Sequence, residues 1–408
     1  MKRVRLLVTL LLALTLWSPP TAAAERQLYQ VSGSLFGFKP PPPRERYRYG
    51  PFDGLSRDAR FERLLGRLRE RLAQKHVPGA AVAVVLDGHL AYASGVGLLR
   101  AGREEPVRAE SLFRTASLSK MLVAATVLSL AERDGLDLER PLTQMLPYFR
   151  RAPGFDASRI TAAMLLCHTA GVPDGDDSRS ANLRASIEAH ANEPLLSPPG
   201  RLFNYSNSGY GILAALIESQ TKLDFDQVVR ERVFLPSGME TASYGAQAGQ
   251  AGLSAGHDAQ GRVVWRSPHD TPTSRAAGGV IASVVDFARF TEVLLADGGD
   301  VLGRDSVRAM MTGRAQIQDQ PLRTYGFGLF ETTQVGLRVV EHAGSSIGFS
   351  SLLRLVPARG FAVVVFDNGP FAPDDVADAA MSAFLDVPEE PRPRVTTPLE
   401  SWAAYTGI

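Results

Sequence analysis

Phe113-Arg114-Thr115-Ala116-Ser117-Leu118-Ser119-Lys120-Met121-Leu122-Val123-Ala124 is the stretch on which the reading of this chain turns. Ser117-x-x-Lys120 stands at the head of an apolar run that predicts a helix over 117–133, stopped at Gly135. On a helix, side chains three apart share a face one turn along, so the Lys120 amine comes within reach of the Ser117 hydroxyl. A serine hydroxyl is a weak nucleophile until a neighbouring base takes its proton, and a desolvated lysine is such a base. The first helical turn also offers free N–H groups and the positive end of the dipole, both favourable to a developing oxyanion. S-x-x-K is short, and alone it equally describes a chance match.

The segments on either side predict where this helix sits. Upstream, leucines recur at helical spacing over 55–74 with arginines between them, an amphipathic helix broken by Pro78-Gly79. Residues 80–86 read as a buried strand, and Asp87-Gly88 as a hairpin turn into a second strand over 89–96. Downstream, about 136–261 consists of helical pieces separated by loops rich in Pro, Gly, Asp and Ser, with 209–220 the clearest helix. Strands then return at 337–341, 350–356 and 361–366, with Ala358-Arg359-Gly360 as a turn, and 374–385 closes as a helix. That order predicts an α/β lobe built from both chain ends with a helical lobe inserted. A cleft between two lobes is a favoured place for a small-molecule site.

Composition narrows the partners. The chain has 408 residues, 45% hydrophobic and 21% charged, with 44 Lys plus Arg against 43 Asp plus Glu and a net charge of +1. No basic excess points to nucleic acid or an anionic membrane surface. Lys2, Arg3 and Arg5, an apolar core over 6–17 and Ala22-Ala23-Ala24 predict a cleavable signal over 1–24 and hence a periplasmic or secreted protein, with no stable membrane insertion after its removal. A proline-rich leader follows over 25–54, where Lys39-Pro40-Pro41-Pro42-Pro43-Arg44 is expected to be extended. Residues 388–408 read as a linker, with 402–407 looking like the opening of something longer. The single cysteine, Cys167, excludes an intramolecular disulfide, and its apolar run Met164-Leu165-Leu166-Cys167 predicts a buried, inert thiol. The seven histidines show no H-x-x-x-H spacing, and neither a metal nor a cofactor is expected. The oligomeric state is not legible.

Two further clusters carry chemistry. In Asn204-Tyr205-Ser206-Asn207, a tyrosine beside a lysine cation can have a lowered pKa and shuttle protons, while an asparagine amide offers both donor and acceptor to a substrate. In His342-Ala343-Gly344-Ser345, directly after a predicted strand, Gly344 lets a substrate approach the backbone. A strand-edge N–H at Ser345 could complete an oxyanion hole with that of Ser117, and His342 could donate a hydrogen bond or carry a tunable charge. A third segment, His168-Thr169-Ala170-Gly171-Val172-Pro173, reads as a tight bend held by backbone-bonding side chains.

The ordered set Ser117-x-x-Lys120, Tyr205-x-Asn207 and His342-x-Gly344 resembles the serine hydrolases related to penicillin-binding proteins and class C β-lactamases. The His168–Gly171 bend, Ala277-Gly278-Gly279-Val280-Ile281-Ala282-Ser283, Tyr325-Gly326-Phe327-Gly328, and Gly348-Phe349-Ser350-Ser351 with Asp367-Asn368 support it. The resemblance covers roughly 55–385. It implies an α+β, β-lactamase/transpeptidase-like fold over 55–387: an antiparallel sheet flanked by helices, with an inserted helical lobe. It further implies acyl transfer, with Ser117 attacking, Lys120 and Tyr205 sharing the base role, and the Ser117 and Ser345 N–H groups holding the oxyanion. Asn207 then positions substrate and lysine, and water hydrolyses the acyl-enzyme. β-Lactamases usually begin the third motif with lysine followed by a hydroxyl residue, a pair suited to a substrate carboxylate. Here those positions are His342 and Ala343. The expected activity is therefore that of an esterase or D-amino-acid peptide hydrolase on a small ester, amide or peptide. A DD-carboxypeptidase or class C-type β-lactamase is the alternative, and a non-catalytic binding or scaffold protein of the same fold a further one.

Overall fold

The computed structural model describes Phe52 and residues 54–388, except for 176–178, 246–249, 266–270 and 371–372. All of these fall within the second of two units into which the chain divides, 49–408. The expected signal segment, and all but the ends of the proline-rich leader and the tail, lie outside the described residues.

Helix α1, Arg57–Lys75, starts where Ser56 accepts a hydrogen bond from the Ala59 N–H and ends at His76, whose φ of 58° closes the last turn. Its periodic Leu64, Leu65, Leu68 and Leu72 are buried. Strands β1, Gly79–Leu86, and β2, His89–Gly97, form the expected hairpin. Asp87 and Gly88 both take positive φ, 53° and 81°, the twist a two-residue hairpin loop requires. The short strand β3, Phe113–Arg114, then leads into the Ser117 segment. That segment is not one helix: a 3₁₀ turn over Ala116–Leu118 precedes α2, Ser119–Asp134, which stops at Gly135 as expected. Ala116, which opens the 3₁₀ turn, has a left-handed φ of 48°. An L-residue there is strained, and it turns the chain just before the serine.

Among the described residues, helix α3, Asn207–Thr221, is the longest of the helical portion, after shorter helices at Leu142–Met145, Ala162–Leu166 and Leu183–Ala189; β4 (Ser243–Tyr244), α4 (Pro272–Gly278), β5 (Val280–Ala282) and α5 (Val284–Leu295) come after it. The boundary expected near 261 falls inside a two-stranded ribbon, Gly256–His257 with Val263–Trp265, and α4 beyond it packs on α3. The remaining strands are β6 (Ala315–Gln316), β7 (Thr324–Tyr325), β8 (Phe330–Gln334), β9 (Leu337–Ser346), β10 (Phe349–Val356) and β11 (Phe361–Asp367), before α6, Asp374–Leu385. Among the described residues these make one antiparallel eight-stranded sheet in the order β2-β1-β11-β10-β9-β8-β7-β6, and β3, β5 and β4 make a small second sheet. β9 runs five residues past its expected end at 341, so His342, Gly344 and Ser345 lie within a strand, not after one.

Every residue of β1 is buried, alternately toward two cores. Ala81, Ala83 and Val85 join the core shared with α2, α3 and α5, whereas Ala80, Val82 and Val84 join the one under α1 and α6. The sheet is thus covered on both faces, and β9 meets the 3₁₀ turn that carries Ser117 on the first of them.

Candidate active site

Lys120 is fully buried, and its Nζ makes three hydrogen bonds: 3.1 Å to Ser117 Oγ, 2.8 Å to Asn207 Oδ1 and 2.9 Å to the Ala277 carbonyl. Burial removes the water that would stabilise an ammonium and lowers the amine to about 7, with the Asp174 carboxylate acting in the opposite direction. Ser119 fixes the turn that carries Ser117. Its hydroxyl donates to the Ala116 carbonyl at 2.7 Å and accepts from the Val280 N–H at 3.0 Å. The glycine-rich 277–283 segment is therefore held beside the serine turn and supplies Lys120 with its third partner.

Asn207 opens α3 beside the cap residue Ser206, whose hydroxyl accepts from the Gly209 N–H. The Asn207 Nδ2 donates to Asp174 Oδ2 at 2.8 Å, leaving Oδ1 toward the lysine. Asp174 Oδ1 in turn accepts from the Ser208 N–H at 2.9 Å and the Ser206 hydroxyl at 3.2 Å. Tyr205 lies with its ring 4.8 Å from Lys120 Nζ, and the Ser117 hydroxyl acts on its phenol. Contrary to the expectation of a lowered pKa, burial raises this phenol, and the influence of Ser117 offsets it only in part. His168 behaves as a holding residue: its Nδ1 accepts from the Ser206 N–H at 3.1 Å, its carbonyl from the Asn204 N–H at 2.7 Å, and its ring packs 4.3 Å from that of Tyr205.

Gly344 brings β9 against the serine turn. A Cβ there would stand 2.3 Å from Ser351 Oγ, 2.6 Å from the Thr115 carbonyl and 3.0 Å from the Ser117 nitrogen. Ser345, the next residue, lines the same cleft as Ser117, on a stretch of β9 beyond its last pairing with β8 at Glu341. His342 departs from its expected role. It is buried behind Tyr205, ring centres 6.3 Å apart, and is not among the cleft-lining residues. Burial and the neighbouring Lys120 lower it to about 3, so it is neutral, not a conditional cation. Its Nδ1 lies 2.7 Å from the Ala343 carbonyl and its Nε2 3.0 Å from the Tyr325 hydroxyl. A carbonyl only accepts, which puts the proton on Nδ1 and leaves Nε2 accepting from Tyr325.

The cleft encloses about 360 Å³, at the small end for ligand pockets. Ser117, Asn207 and Ser345 share its wall with Asp174, Arg114, Ser208 and Thr273. The structure thus gathers all seven singled-out residues around one locus, with Lys120 and His342 beneath the surface. Sequence reasoning missed Asp174 and the Ala277 carbonyl. Asp174 lies in a loop that no short motif marks, and only its nearness to the His168 bend hints at it; Ala277 opens the 277–283 segment already singled out, but a residue type gives no sign of what its carbonyl does.

The profile of the family described as Beta-lactamase matches residues 64–387. The chain belongs to this family. It is a serine hydrolase of the β-lactamase/transpeptidase-like fold. Penicillin-binding protein 4 of Amycolatopsis lactamdurans is 27% identical over 389 residues, 86% of this chain and 97% of that one. A D-aminopeptidase of Gluconobacter oxydans is 26% identical over 337 residues, 80% of this chain, which spans 63% of that longer relative. Among solved structures, SurE with D-Leu superposes with a TM-score of 0.67 at 29% identity, covering 84% of this chain and 80% of its own. Among the described residues, no helix is long and apolar enough to cross a membrane.

Proposed function

We propose that Ser117 is the nucleophile, that neutral Lys120 is its base, and that the acyl group comes from an ester or amide, with a D-configured amino-acid residue favoured. The observation that carries this reading is the set of partners around Lys120 Nζ. Two of the three, Asn207 Oδ1 and the Ala277 carbonyl, can only accept. A neutral amine spends its two N–H bonds on them, and its lone pair is left facing Ser117 Oγ. With the amine at about 7, that neutral form is well populated near neutral pH.

The steps follow. Ser117 Oγ forms a bond to the substrate carbonyl carbon as its proton passes to Lys120 Nζ. The carbonyl oxygen takes the negative charge, held by the Ser117 and Ser345 N–H groups. Collapse breaks the bond to the leaving group, which takes a proton from the Tyr205 hydroxyl, and Tyr205 is refilled from the Lys120 ammonium. Because burial disfavours a phenolate, Tyr205 serves as a neutral relay rather than a resting base. Water then attacks the acyl-enzyme by the reverse proton path.

The preference for a D-residue is supported by the relatives' names, a D-aminopeptidase and a complex with D-Leu. The preference over β-lactams is supported by His342 and Ala343: a buried neutral imidazole supplies no cation from that strand for a substrate carboxylate, and Ala343 supplies no hydroxyl. The 1–24 segment, with its basic start, short apolar core and alanine triplet, supports export. Intact-mass detection of the enzyme labelled by a fluorophosphonate or an activated ester tests the nucleophile. Wild type is expected to gain one adduct and Ser117→Ala none. An adduct that survives in Ser117→Ala moves the nucleophile elsewhere.

A further inference from the structure

We propose that Asp174 is a positioning residue that aims the Lys120 lone pair at Ser117 by locking the orientation of the Asn207 amide. This rests on the reading of Lys120 as the base. An asparagine amide can be turned end for end with little change of shape, exchanging donor for acceptor. In one orientation Asn207 presents Oδ1 to Lys120, accepts one of its N–H bonds and leaves the lone pair for the serine. In the other it presents an N–H, draws the lone pair to itself and takes it from Ser117. Within the site, the group that decides is the Asp174 carboxylate, both of whose oxygens accept, Oδ2 holding Nδ2 at 2.8 Å. Asp174 is itself fixed by the first turn of α3, through the Ser208 N–H and the Ser206 hydroxyl. Four groups thus stand in a row, Asp174, Asn207, Lys120 and Ser117, each bonded to the next.

Asp174 also acts through its charge, favouring the Lys120 ammonium and so raising the amine against the effect of burial. The other titratable groups facing Lys120 are the phenols of Tyr205 and Tyr210, raised by burial, and the imidazoles of His168 and His342, lowered by it. Near pH 7 none of those four changes charge, so an acid limb of acylation there reports Lys120.

The test is the pH profile of acylation, read with a chromogenic ester, in wild type, Asp174→Asn and Asp174→Ser. Asp174→Asn keeps an acceptor for the Ser208 N–H only by turning its own NH₂ toward Asn207 Nδ2, donor against donor. Asn207 relieves this by turning around. The plateau rate is expected to fall about 10- to 100-fold, the scale of a mis-set catalytic group, with KM changed little. At the same time the acid limb moves to lower pH, because the charge that raised Lys120 is gone. Asp174→Ser keeps a hydroxyl for the Ser208 N–H, should the first variant fold poorly, and is expected to show the same acid shift. In an Asn207→Ala background, Asp174→Asn is expected to cost little further rate. An unmoved limb, or the full loss persisting without Asn207, overturns the proposal. A wild-type profile with no limb near 7 overturns the reading of Lys120 beneath it, so the two failures are told apart.

Discussion

Lys120, the proposed base, shows how burial alone resets the titration of an amine. A free lysine is charged at neutral pH because water stabilises its ammonium, and in the core that stabilisation is lost and the amine falls to about 7. With Lys120 as the proposed base, acylation needs the neutral form. The rate constant for acylation is therefore expected to drop about tenfold per pH unit below 7 and to level off above it, as stopped-flow measurements with an activated ester would record. A profile flat down to pH 5 would mean that Lys120 is not the group being titrated. The sequence made Lys120 legible as a desolvated base because an apolar run follows it. It gave no measure of how deep Tyr205 and His342 lie, and both depart from their expected titration for that reason. The phenol goes up where it was expected to go down, and the imidazole becomes too acidic to serve as a cation. A motif names residue types, but burial is decided by segments far away in the chain.

The element that matters most to the cleft is strand β9. Its second half, His342-Ala343-Gly344-Ser345-Ser346, has no β-branched or aromatic residue beyond the histidine, which is why the strand signal fades after 341. The structure continues it through pairing with β10, Gly344 opposite Ser351 and Ser345 opposite Ser350, and through the Ser351 hydroxyl, which donates to the Thr115 carbonyl at 2.7 Å. The hairpin, α1 and α6 were readable because each is long and periodic. The two- and three-residue strands beside the site were not, since nothing so short carries a period. Gly344 is the point where β9 and the serine turn touch. Gly344→Ala places a methyl against backbone atoms of Thr115 and Ser117, which cannot swing aside as a side-chain tip does. The turn and the strand must then separate, and the Ser117 and Ser345 N–H groups with them. Acylation is expected to slow by about 100-fold or more, the scale of losing one oxyanion donor, together with a lower melting temperature. A variant that acylates at the wild-type rate would show that the oxyanion is held elsewhere.

At the scale of the whole molecule, the sheet separates the layer that holds the candidate site from a layer that closes the core. Their alternation along β9 and β10 is plain: His342 and Gly344 face the serine side, while Glu341 and Arg354 face the side of α1 and α6. Arg354 is wholly buried and binds three carboxylates, Glu341 at 2.8 Å, Asp378 at 2.5 Å and Asp374 at 3.3 Å. Two of these lie on α6, so the guanidinium fastens the last helix to the sheet, while Arg60 on α1 reaches the Ala383 carbonyl and Asp386 at the far end of α6. The sequence predicted α6 to the residue, yet gave no sign of this network, because a lone arginine in a strand has the same type whether it faces water or a core. Removing one member of a buried charged network typically costs about 3–5 kcal/mol, since the opposite charges stay behind in a medium that solvates them poorly. Arg354→Met, similar in length and apolar, is expected to lower the midpoint of urea unfolding by a corresponding amount. The residues around Ser117 lie across the sheet from this network, so acylation by the folded fraction, measured well below the new midpoint, is expected to stay within about threefold of wild type, as distant sites usually act independently. Slowed acylation at unchanged stability would mean instead that the position of α6 is transmitted along β9, through Glu341 and its neighbour His342, to the serine turn.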